Sequence, residues 1–144
     1  MSKENSGKQQ QGIRVIVGMI TFALAFYGMQ QFFKTDVEAE LARVALELNT
    51  RAPIQYDQFT RLDSASATGA TNFSYFYTLI NVEKKAIHSD TVQAFLKPKL
   101  VDNIKYSPEL KVYRDNEITM DYYYYDNNGD LITTIAVTPD LYSD

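Results

Sequence analysis

His88 is the one histidine among the 144 residues, and nothing in the sequence equips it for catalysis. A nucleophilic triad needs a serine or cysteine and an orienting carboxylate around the histidine, and a histidine-based metal site needs further ligands at short spacing. No G-x-S-x-G, H-E-x-x-H or glycine-rich phosphate loop is present. Cysteine is absent, which removes disulfides, thiol nucleophiles and thiolate metal sites together. His88 therefore reads as a solvated loop residue, and neither a cofactor nor a metal is expected. Asp126, Asn128 and Asp130 alternate like the oxygen donors of a calcium loop, but Val137 stands where the closing glutamate belongs, so the stretch reads as a polar turn. Asp57, Asp63, Asp121 and Asp126 remain. Two carboxylates held on either side of a glycosidic bond can hydrolyse it, which keeps a hydrolase of cell-wall glycans as an alternative.

The aromatic residues offer a stronger lead than the charged ones. Of the 11 tyrosines, Tyr75, Tyr77 and the run Tyr122 to Tyr125 put phenol rings on both faces of two strands. One face must be core; Tyr123 and Tyr125, with Tyr75 and Tyr77, are the candidate contacts for a partner, because such rings combine apolar area with a polar tip. A protein or a glycan would suit them.

Stepping out from these residues, the charge is divided. Lys3, Lys8 and Arg14 outweigh Glu4 at the start of the chain, whereas from Lys34 onward 11 basic and 17 acidic side chains leave a net of −6. An acidic domain without a basic stripe repels phosphate backbones, so nucleic acid is excluded as a partner. Between the two regions, Val15 to Met29 runs without a charge. A helix from Ile13 to Phe33 would rise about 31 Å, the thickness of a bilayer's hydrocarbon core, with Arg14 snorkelling at one end. The expected layout is a basic cytoplasmic tail over 1–12, a transmembrane helix over 13–33 in contact with lipid, and a domain over 34–144 on the far side of a bacterial inner membrane, in the periplasm. Ala23-Leu24-Ala25 keeps signal-peptide cleavage open as the rival reading. Gly18, Thr21, Ala25 and Gly28 share one face of the span, where small residues let a second helix approach.

The outer domain reads as α+β. Thr35-Asp36-Val37-Glu38 matches a capping box, and Val37, Leu41, Val44 and Leu48 form the apolar stripe of a helix that stops before Pro53. Gln58 to Ala65 and Asn72 to Val82 are predicted strands that pair as a hairpin around Ala67-Thr68-Gly69-Ala70. Val92, Phe95, Leu96, Leu100, Val101 and Ile104 predict a helical segment capped by Ser89 or Asp90, with Pro98 producing a kink or two short helices. Ser107-Pro108-Glu109 starts a brief further turn. Glu117 to Asp126 and Leu131 to Thr138 are a second hairpin; a type I′ turn at Asn128-Gly129 sets Met120 opposite Val137, Tyr122 opposite Ile135, Tyr124 opposite Thr133 and Tyr125 opposite Ile132. The simplest arrangement is a four-stranded antiparallel sheet with helices packed on one face.

Several short stretches carry a resemblance. Leu48-Asn49 before Pro53, Thr60-Arg61-Leu62-Asp63, Tyr75-Phe76-Tyr77-Thr78-Leu79, Pro108-Glu109-Leu110, and Tyr125-Asp126 through Gly129 to Val137-Thr138-Pro139 resemble a loose group of small, uncharacterised, membrane-anchored envelope proteins of bacteria. Similar members often carry cysteines where Tyr106 and Tyr142 stand here. The layout of tail, span and helix-plus-sheet domain also resembles, more distantly, inner-membrane assembly subunits of type IV secretion systems. The expected function is a non-enzymatic binding or assembly module, held to the membrane, with a protein partner or a second copy. The other alternative is an immunity or inhibitor protein whose acidic surface covers a toxin effector.

Overall fold

The computed structural model describes residues 36–144. The tail, the span over 13–33 and its Gly18, Thr21, Ala25 and Gly28 face lie outside the described residues, as does Thr35 of the expected capping box. Among the described residues no helix is long and apolar enough to cross a membrane.

Helix α1 spans Val37–Arg51, and its cap is Asp36, whose carboxylate accepts the Ala39 amide at 3.1 Å. Leu41, Val44, Ala45 and Leu48 bury one stripe of it. Strands β1 (Ile54–Gln55), β2 (Thr60–Thr68) and β3 (Asn72–Leu79) follow, then α2 (Ser89–Tyr106), a 3-10 turn over Pro108–Leu110, α3 (Lys111–Asp115), β4 (Thr119–Tyr125), β5 (Leu131–Val137) and α4 (Pro139–Tyr142).

The expected four-stranded antiparallel sheet is corrected on two counts. The sheet has five strands in the order β1-β2-β3-β4-β5, and β3 pairs with β4 in parallel. β1 is too short for any periodicity to announce it. The parallel pairing follows from α2, which carries the chain back along the sheet so that β4 starts at the end where β3 started. Both predicted hairpins exist, β2 with β3 and β4 with β5. Pro98 does not break α2, which runs as one helix. Val92 lies on one side of Pro98 and Leu100 and Ile104 on the other, all buried, so packing holds both halves where propensity alone would part them. Neither Ser89 nor Asp90 caps α2; His88 holds that position without a side-chain bond, and the Ser89 hydroxyl donates instead to Thr133.

The second hairpin differs at its tip. Gly129 alone takes the left-handed conformation, at φ 85°, and its amide donates to the Asp126 carbonyl at 3.1 Å. A type I′ turn needs positive φ at two residues, so the loop is one residue longer than expected. A bulge absorbs the difference and Tyr125 faces Leu131, with Ile132 as the extra residue; the five core and open-face pairs from Met120 to Tyr124 keep the expected register.

Helices pack on one face of the sheet only. There Phe73, Tyr75, Tyr77, Met120, Tyr122, Tyr124, Ile135 and Val137 meet Leu41, Leu48, Leu100, Ile104 and Tyr113. Arg114 ties α3 to the end of α2 by donating to the carbonyls of Ile104 and Ser107 at 2.7 and 2.6 Å. The Tyr142 hydroxyl donates to Ile118 at 2.7 Å. Both margins of the sheet receive a side-chain amide. Asn49 donates to the Ala65 carbonyl and accepts its amide, each at 2.8 Å, and Gln93 donates to the Thr134 carbonyl at 3.3 Å.

Asp126, nearly inaccessible to solvent, joins the β4–β5 turn to the loop before α2. Its carboxylate accepts the amides of Lys84, Asn128 and Asp130 at 2.8 to 2.9 Å. Those bonds, the Lys84 amide foremost, hold its pKa below the ordinary 3.8. A carboxyl lowered by folding contributes stability above its unfolded pKa, and that contribution is lost as pH falls through the lowered value. Asp126→Asn is therefore expected to lower the melting temperature at neutral pH. In calorimetry from neutral pH downward, the gap between variant and parent should close as the medium becomes strongly acidic.

Candidate functional site

The face of the sheet opposite the helices carries none of the helical core residues. Its side chains form rows across the strands, set by the pairing. One row is Ser64, Phe76, Tyr123 and Thr134; the next is Arg61, Thr78, Tyr125 and Leu131. At the other end Ser66, Ser74, Asp121 and Ala136 form a row of small side chains.

Phe76 and Tyr123, half-buried, stack across β3 and β4 with ring centroids 4.8 Å apart and planes at 15°. Tyr125 is also half-buried, and Leu131 beside it remains 40% exposed. Arg61 is pinned next to them: its Nε donates to Asp63 at 2.6 Å, its Nη2 reaches the Thr78 hydroxyl at 3.4 Å, and Thr78 in turn donates to Asp63. The result is an aromatic patch bordered by a fixed, internally neutralised ion pair. Such a surface fits a partner by shape and apolar contact, with rings that lose little freedom on being covered.

Of the four tyrosines singled out from the sequence, the structure brings only Tyr123 and Tyr125 to this face. Tyr75 and Tyr77 are 1% and 0% exposed and are corrected to core positions. Their rings stack on Tyr122 and Tyr124 at 5.2 and 5.4 Å beneath the helices. Burial pushes the phenol pKa of Tyr75, Tyr77, Tyr122 and Tyr124 well up, and that of Tyr56 to about 12. The residue missed was Phe76. Strand alternation places it opposite in sense to Tyr75 and Tyr77, but its contact with Tyr123 depends on the parallel register of β3 and β4.

Two of the four candidate carboxylates are placed unfavourably for hydrolysis. Asp63 is occupied by Arg61 and Thr78, and Asp126 is held ionised by backbone amides, whereas the general acid of a glycosidase must keep its proton near neutral pH. His88 is exposed, and among the described residues no group of three acidic, histidine or cysteine side chains could hold a metal ion.

Against known proteins, residues 36–132 match the domain of unknown function DUF8479. The chain belongs to that family. No curated protein matches it in sequence. Its fold is shared by the type II secretion system pilotin AspS of Vibrio cholerae, at TM-score 0.54 and 16% identity over 73% of this chain and 91% of that one. The pilotin EpsS of the Vibrio vulnificus type 2 secretion system aligns at TM-score 0.58 and 16% identity, over 75% and 93% of the two chains. A protein of Pseudomonas aeruginosa thought to be secreted aligns at TM-score 0.60 and 10% identity, over 73% and 91%. At such identities the DUF8479 domain shares their fold and no more. The resemblance to type IV secretion subunits has no counterpart among these structures.

Tyrosine nitration tests which rings face outward. In the folded domain, tetranitromethane is expected to modify Tyr123 and Tyr125 and to spare Tyr75 and Tyr77, which should react only after denaturation; peptide mass mapping reads the difference. Nitration of Tyr75 before Tyr123 would reverse the assignment of faces.

Proposed function

We propose that the chain is a non-enzymatic docking module of the bacterial envelope, holding a protein partner on the open face of its sheet. The observation that carries this reading is the stacked Phe76–Tyr123 pair, half-buried at the centre of the one sheet face the helices leave bare. Apolar rings in a contiguous exposed patch mark contact surfaces more often than isolated ones do. The shared fold with two pilotins of type II secretion systems favours an assembly role over catalysis.

The location proposed is the inner membrane, with residues 13–33 as anchor, the N-terminus cytoplasmic and the domain in the periplasm. Its support is the charge division of the sequence and the bilayer length of the apolar segment.

Two measurements test this. Carbonate-washed membranes are expected to retain the full chain, and release of the whole population into the soluble fraction would remove the anchor. A photo-crosslinking residue placed at Tyr123 or Tyr125 in cells is expected to give a discrete adduct with another protein, and one at Leu46 or Tyr106, exposed on the helical side, should not. Equal yields from both sides would end the case for the open face.

A further inference from the structure

We infer that the partner segment held on the open face carries a lysine or arginine that pairs with Asp121. This rests on the docking role proposed above and adds the partner's chemistry to it.

Three charged side chains belong to the rows and bulge of this face. Arg61 and Asp63 neutralise each other at 2.6 Å. Asp121 has no such compensation: among the described residues it makes no ion pair, and its one hydrogen bond is a long one, 3.4 Å, from the Asn72 amide. Its neighbours in the row are Ser66, Ser74 and Ala136, none long enough to rise beside it and none charged. The half-buried carboxylate thus stands in a shallow trough that a partner can approach closely.

A partner that covers the trough takes water from Asp121. An ionised carboxylate covered without a counter-charge is heavily penalised, so a segment lacking a cation is rejected and one supplying it is selected. The same segment must place an apolar side chain over the aromatic patch. At the rise of a strand, Tyr123 is about 7 Å from Asp121 and Tyr125 about 13 Å, which sets the spacing between the partner's cation and its apolar anchor. A second copy meeting it face to face fits poorly, because the cation of this face, Arg61, is already tied to Asp63.

Selection of a random displayed peptide library on the full chain in detergent micelles tests the inference. Enriched peptides are expected to share a lysine or arginine near a bulky apolar residue. Affinity for those peptides should fall by about tenfold with Asp121→Asn, the loss of one charge-assisted contact, and survive in Asp121→Glu. Asp121→Lys should turn the enrichment toward acidic peptides. Peptides that depend on Tyr123 but show no basic preference, or bind Asp121→Asn unchanged, would overturn the inference and leave the docking face standing. Enrichment indifferent to Tyr123→Ala and Tyr125→Ala, or none at all, would remove the face and the inference together. Self-association abolished by Tyr123→Ala would assign the face to a second copy and overturn it too.

Discussion

The in-register parallel pairing of β3 with β4 is the constraint on which the rest of the domain depends. It sets Tyr75 against Tyr122, Phe76 against Tyr123 and Tyr77 against Tyr124, so that aromatic rings meet ring to ring on both faces of the same two strands. Offset stacking of neighbouring rings adds to the area they bury, and a slip of one residue would exchange core for surface along both strands. The two hairpins hang from this seam, one on each side. The helices then have a single choice of face, because only one side of the seam presents Phe73, Met120 and Val137 together with the buried tyrosines.

That seam is also where reading the sequence succeeded least. Local signals were legible: the stripe of Leu41, Val44 and Leu48, the two hairpins, and the pairs from Met120–Val137 to Tyr124–Thr133, whereas the cap of α1 is Asp36 and not the expected Thr35. Each depends on residues close along the chain, where period and turn chemistry decide the outcome. The direction of β4 relative to β3 depends on how a connection of nearly forty residues returns across the sheet, and no period within either strand records it. Because that direction was unreadable, so was the partnership of Phe76 with Tyr123. The aromatic run Tyr122 to Tyr125 announced a two-sided strand, and alternation correctly set Tyr123 and Tyr125 apart from Tyr122 and Tyr124. For β3 the same alternation separates Phe76 from Tyr75 and Tyr77, but nothing within the strand says which parity the helices cover.

The DUF8479 domain and the pilotins keep one fold at 16% identity, which fits a structure specified by pattern more than by particular residues. What must persist is one apolar side to the sheet and a helix that crosses it between two hairpins. The bare side is free of that demand, and its residues can follow whatever they contact. Here they divide into an aromatic end and a small, acidic end, a polarity along the strands that a uniform solvated surface would not need.

Asn49 and Gln93 bear on how this domain can live at high local density. A sheet whose outermost strands have free amides and carbonyls invites neighbouring chains to add to it, and growth of that kind has no natural stop. Here Asn49 pairs with Ala65 where β2 runs on beyond the two-residue β1, Gln93 donates to Thr134 of the outer strand β5, and a bulge beside each spoils the straight run that a recruit would need. Zipping of copies into fibres is hindered at both places, and broadside contact is the easier way for such domains to meet other molecules.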